Sequence, residues 1–131
     1  MSCDQKRLHD LSVLAIAWGV WCWVFDPMST MSVFRLFNRF GGDEFWGFWM
    51  VGLGALSVAL LRSGTWARTI LAGACVSGAW SAIAMFFLIE AWERAETASA
   101  FHTGILMYSV MTIAAVVSTV RHARGGDSWI Q

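Results

Sequence analysis

The sequence predicts an all-α polytopic membrane protein: a bundle of four transmembrane helices, with one short amphipathic helix at the membrane interface between helices 1 and 2. Three observations carry this expectation. Of the 131 residues 57% are apolar and only 14% charged, and the mean hydropathy is +0.57. A soluble domain has about 25% charged residues, and a chain this short cannot hide such an apolar excess in a core of its own. Four apolar runs carry no charged side chain, and each is close to the roughly 20 residues that cross a bilayer. Finally, Lys, Arg and Trp are sorted along the chain as a membrane would sort them.

The first run covers 11–25 and becomes a span over 8–25 when His9 and Asp10 are placed at the membrane edge. Pro27 lies just beyond it, where a helix can stop without losing an interior hydrogen bond. Lys6 and Arg7 ahead of an apolar stretch also resemble the start of a signal peptide. No small-x-small cleavage site follows, Thr30-Met31-Ser32 being a poor substitute, so the segment is expected to remain as the first helix. Between Ser29 and Phe40 the side chains divide: Val33, Phe34, Phe37 and Phe40 share one side, Ser32, Arg35 and Arg39 another. This predicts an interfacial helix with Phe34 and Phe37 in the acyl boundary and Arg35 and Arg39 toward water. Ser29 or Thr30 can cap its start and Gly41-Gly42 can end it.

The second span is 45–61. The loop from Arg62 to Arg68 allows only a tight hairpin into the third span, 70–89. Apolar faces do not drive helices together in lipid, so close contacts need small residues. The third span supplies Gly73, Ser77 and Ser81 at intervals of four, beside Ala74, Gly78 and Ala82. The second adds Gly52, Gly54, Ala55 and Ala59. Gly73, Ser77, Gly78 and Ser81 are therefore a candidate seam, either within the bundle or between copies. Residues 90–100 read as a helical continuation in which Glu90 and Arg94 stand one turn apart. The fourth span, 101–120, carries a hydroxyl stripe of Ser109, Thr112 and Thr119. It lines a narrow wet path if copies assemble, or bonds back to its own helix.

Positive charge sets the expected orientation. Lys6, Arg7, Arg62, Arg68, Arg121 and Arg124 fall on the side of both termini; Arg35, Arg39 and Arg94 fall on the other. Both termini are thus expected in the cytoplasm, with the bacterial inner membrane as location. Trp21, Trp23, Trp46, Trp49 and Trp92 gather toward the outer ends, and Trp66 and Trp129 mark the inner side.

Little in the chain suggests chemistry. Nine basic residues balance nine acidic ones, leaving no positive field for nucleic acid. Cys3, Cys22 and Cys75 are too scattered for a disulfide framework or a zinc site. His102 stands alone at the outer start of the fourth span, and the outer acids Glu44, Glu90 and Glu93, with Asp43 and Glu96, follow no metal-loop spacing. A solvated acidic face is expected there, with no cofactor. No span has an ionisable group at its middle, where a transport pathway normally places one. Nucleophile-elbow, zinc-protease and phosphate-loop motifs are absent, so a non-enzymatic protein is expected.

Among small four-span families, multidrug exporters need a glutamate in the first helix, fluoride channels a polar pore with Asn, and quinone-linked disulfide oxidases two cysteine pairs. This chain departs from all three patterns. Pro27 after a short first helix, Trp46-Gly47 opening the second, a hairpin bounded by Arg62 and Arg68, Trp80, Tyr108 and Arg121 together form an outline covering most of the chain. In this outline it resembles small four-span membrane proteins of tailed phages and prophages. The resemblance implies phage origin and an inner-membrane location, and no activity by itself. The functional expectation is a protein that self-associates in the bilayer, with holin-like permeabilisation. The alternatives are an accessory or superinfection-exclusion protein that binds a membrane or virion component, and a small-solute channel or transporter.

Overall fold

A computed structural model describes residues 3–26, 35–93 and 98–130. They form α1 (Cys3–Phe25), α2 (Arg35–Arg39), α3 (Gly42–Arg62), α4 (Trp66–Glu93) and α5 (Ala98–Ile130), with no strand among the described residues. Four segments are long and apolar enough to cross a membrane: Cys3–Phe25, Gly42–Arg62, Trp66–Glu90 and Ile105–Gly125. The chain is an all-α integral membrane protein. Its helices overrun the apolar runs because hydropathy stops at the first charge, whereas backbone hydrogen bonding continues through the headgroup layer. At 1.5 Å per residue the 28 residues of α4 reach about 42 Å and the 33 of α5 about 50 Å, against roughly 30 Å of hydrocarbon.

Four crossings bring the start of α1, the α3–α4 turn and the end of α5 to one end of the bundle, the termini end. α2 lies at the other. α1 packs most extensively on α3, and α4 on α5; the α3–α4 hairpin joins the two pairs, and α1 also touches α4 and α5. Ser29, Thr30, Phe34 and Arg94 lie outside the described residues, as do the side chains of Arg35 and Glu93.

The α1–α3 contact is made by glycines. A Cβ on Gly19 would stand 2.6 Å from Val51 Cγ2 and 2.7 Å from the Gly47 carbonyl oxygen. A Cβ on Gly54 would stand 2.8 Å from the Ser12 carbonyl oxygen, and one on Gly47 would meet the Trp23 indole. Backbones therefore meet where other helices hold side chains. Dispersion and weak Cα–H···O contacts can then do what burial of apolar surface cannot do in lipid. Ser12, buried in this seam, returns its hydroxyl to the Leu8 carbonyl at 2.7 Å, so the seam carries no loose donor.

The helix ends follow from local chemistry. Asp26 ends α1 in the left-handed region (φ 46°), a conformation Asp tolerates better than most residues, and its N–H donates to Cys22 O at 3.2 Å. The α3–α4 turn closes with Ser63 N–H and Oγ both donating to Leu60 O, at 3.3 and 2.7 Å, and Gly64 supplies the positive φ of 71°.

The seam gives a direct test. Gly19→Leu and Gly54→Leu should each lower stability by about 1–3 kcal/mol through overpacking. Gly52→Ala, on a part of α3 with nothing within 4 Å, should stay within about 0.5 kcal/mol of the parent. Unfolding in mixed detergent micelles measures all three, and equal losses would contradict the glycine contact.

Candidate functional site

The middle of the bundle is filled by rings. Trp18 Nε1 of α1 donates to the Tyr108 hydroxyl of α5 at 2.9 Å. The Tyr108 ring lies nearly parallel to Trp80 and Phe87 of α4, with centroids 5.7 and 5.1 Å away. Trp80, only 1% exposed, donates Nε1 to the Leu11 carbonyl of α1 at 3.2 Å. Three helices are thereby tied at a depth where an unmet N–H is costly. The hydroxyls stay local: Thr112 donates to Tyr108 O (2.8 Å) and Thr119 to Ala115 O (2.7 Å). Ser57 is within reach of Leu53 O at 2.8 Å and of Ala72 O on α4 at 3.2 Å. Of the hydroxyl stripe, Thr112 and Thr119 are turned back to α5, and Ser109 is half-buried on the same helix.

Gly73, Ser77, Gly78 and Ser81 do not make one seam. A Cβ on Gly73 would run into Thr119 of α5, so this glycine serves the α4–α5 contact inside the chain. Gly78 has nothing within 4 Å of a Cβ. Five residues separate the two, about 140° around a helix, so one faces the bundle and the other faces away. Ser81 donates to Gly78 O at 3.1 Å, and Ser77 is half-buried.

The α2 end holds the least regular chemistry. Phe37 is fully buried, with ring centroids 5.0 Å from Trp46, 5.1 Å from Phe86 and 5.4 Å from Phe87, and its carbonyl accepts Trp46 Nε1 at 3.2 Å. The expectation that Phe37 enters the acyl boundary is therefore corrected. It enters the protein, because rings of α3 and α4 offer it an edge-to-face pocket and a hydrogen-bond donor, neither of which lipid provides. Leu36 is buried beside it, while Asn38, Arg39 and Phe40 are exposed.

Two recesses flank this end of α3. One, of about 300 Å³, is apolar and lined by Phe40, Phe45, Trp46, Trp49, Ala82 and Phe86. The other, of about 620 Å³, is lined by Trp23, Asp26, Asp43, Glu44 and Phe48. Trp23 Nε1 donates weakly to Glu44 O at 3.5 Å across its floor. Three carboxylates beside two ring faces make a surface suited to an organic cation. Among the described residues no three acidic, His or Cys side chains come close enough to hold a metal ion. Glu44 belongs to this recess, but Glu90 does not: it is 3% exposed, within α4. The acidic face expected at Glu44, Glu90 and Glu93 is thus divided, since Glu90 turns inward with the core face of α4 that carries Ile83 and Phe87.

Sequence reasoning missed Gly19 and Gly47 as contact residues and Trp46 as the anchor of α2. A signal for the first existed: Ser12, Ile16, Gly19 and Trp23 recur at intervals of four, three and four, and Gly47, Val51 and Gly54 at four and three, both matching a helix–helix stripe. Nothing comparable marks Trp46, one of nine tryptophans.

Replacing Trp46 with Phe keeps a ring but removes the donor to Phe37 O. Amide exchange across 35–39 should quicken roughly fivefold, for a bond worth about 1 kcal/mol. Phe37→Ala should cost about 3–5 kcal/mol of α2 docking and expose the segment fully. Tyr108→Phe, which removes the acceptor of Trp18, should lower unfolding free energy in micelles by about 0.6 kcal/mol. Unchanged exchange in both α2 variants would contradict the docking geometry.

The chain matches no protein-family model, no curated protein and no solved structure.

Proposed function

We propose that this is a non-enzymatic protein of the bacterial inner membrane, phage-encoded, that acts by self-association of its helices to permeabilise the membrane in a holin-like manner. The observation that carries the reading is the contrast between the inside and the outside of one copy. Inside, Trp18, Trp80, Phe87 and Tyr108 fill the middle of the bundle and the hydroxyls are bonded to backbone. Among the described residues a single copy thus shows no wet path, which speaks against a one-chain channel or transporter. Outside, Gly78 on α4 and Gly52 on α3 leave room for a backbone to approach. Only 17% of the apolar window of α5 is buried, against 39% for α4, so α5 too presents most of its surface to whatever surrounds the bundle. Permeation then belongs to an assembly of copies, whose contacts small residues favour.

The charge distribution supports an orientation with both termini in the cytoplasm and α2 outside. A second reading is favoured by the recess at Asp26, Asp43 and Glu44. An accessory or exclusion protein would use this acidic, ring-walled surface to hold a basic segment of a membrane or virion component.

Induction in a bacterial host, with membrane potential and growth followed with and without a cytoplasmic endolysin, tests the first reading. It expects abrupt depolarisation, and lysis only with endolysin. Gly78→Leu should delay or abolish the event at normal expression and little-changed monomer stability, because a Cβ there has nothing within 4 Å. Polarised, growing cells at good membrane expression, or a Gly78→Leu variant as toxic as the parent, would refute it. A blocked infection in such healthy cells would favour the second reading.

A further inference from the structure

We propose that the apolar recess at the α2 end is a binding site for one anionic phospholipid, its acyl chain lying against Phe40, Phe45, Trp46, Trp49 and Phe86 and its phosphate meeting Arg39. The lining is almost wholly carbon, and the one indole N–H that Trp46 brings is already given to Phe37 O. Trp49 brings one further N–H, and no charged side chain lines the recess to recommend a hydrated ligand. The recess is open rather than sealed, and the volume of about 300 Å³ accommodates roughly ten methylene-sized groups at about 30 Å³ each, the upper part of an acyl chain. Phe45, Trp46 and Trp49 belong to the first two turns of α3, the depth at which tryptophans mark the boundary between headgroups and acyl chains.

Charge selects the class of lipid. Arg39 ends α2, is exposed, and immediately precedes Phe40, which forms the rim of the recess. A guanidinium one residue from a ring that lines the groove has the reach to meet a phosphodiester at its mouth, and favours a headgroup carrying no compensating positive charge. The carboxylates Asp26, Asp43 and Glu44 line the recess on the other flank of α3. α2, docked by Phe37, thus ends on an exposed cation that adjoins a groove residue in sequence.

The protein reconstituted in nanodiscs of phosphatidylcholine provides the test, with brominated acyl chains introduced at low mole fraction as either phosphatidylglycerol or phosphatidylcholine. Bromine quenches tryptophan on contact, and Trp49, 36% exposed, is the reporter in the groove. Brominated phosphatidylglycerol should quench at about fivefold lower mole fraction than brominated phosphatidylcholine, the preference one arginine near a headgroup supplies. Arg39→Gln should abolish the preference and Arg39→Lys retain most of it. Trp49→Phe should remove the lipid-selective component, and Ala82→Phe, which fills the groove without adding a tryptophan, should remove it with the helical signal unchanged. Equal quenching by the two lipids, a preference that survives Arg39→Gln, or selective quenching that persists without Trp49 would each overturn the proposal. So would occupancy of the groove by a second copy, seen as a concentration-dependent loss of lipid quenching. Arg39 and Trp49 are exposed and lie apart from the glycine contacts of α1 with α3 and of α4 with α5, so loss of lipid selectivity with membrane permeabilisation intact would separate this site from self-association.

Discussion

A helix in hydrocarbon gains little by hiding apolar surface from lipid, so the bundle depends on contacts that lipid cannot imitate. The closest of these is the α1–α3 crossing at Gly19, Gly47 and Gly54, where backbone meets backbone. α1 also touches all three other spans, as α4 does. Its position, set by that crossing, brings Trp18 to the Tyr108 hydroxyl and the Leu11 carbonyl to Trp80. The mid-bundle hydrogen bonds are consequences of where the glycines let α1 lie. Interhelical bonds of this kind average well under 1 kcal/mol each in membranes. They set register and orientation more than they supply stability.

The chain uses its aromatic residues in two ways, divided by depth. In the middle, rings act as filler, and the indole N–H groups of Trp18 and Trp80 find acceptors within the bundle. At the α2 end they act as a socket: Trp46, Phe86 and Phe87 receive Phe37, and the residues beyond it line an open groove. The first arrangement closes the interior of a single copy. The second presents surface to the membrane and its surroundings. Among the described residues, open surface lies on the outside of the bundle, on the exposed sides of α3, α4 and α5 and in the two recesses.

Much of the architecture was legible from the residues. Uncharged runs of near-bilayer length identify spans because the cost of an unpaired backbone group in hydrocarbon leaves helices as the only economical form for such runs. The turn at 63–65 and the break after Phe25 follow from Gly64 and from Asp26-Pro27. The candidate site was less legible. A hydroxyl stripe looks the same in sequence whether it lines water or bonds to its own helix, and Thr112 and Thr119 do the latter. Gly73 and Gly78 look equivalent until the facing helix is known, and Glu44 and Glu90 look like one acidic face until the rotation of α4 is known.

Four helical spans and a short helix between the first two can be read from the residues alone, because length, hydropathy and charge placement are one-dimensional properties. The tertiary structure decided which small residues are contacts, which rings are buried, and where the acids gather. Those depend on the rotation of each helix about its axis, which a chain apolar on nearly every side does not encode. In water the polar side of a helix fixes that rotation; in lipid only the detailed fit of Gly19 on Val51, Gly73 on Thr119 and Phe37 on Trp46 can do so.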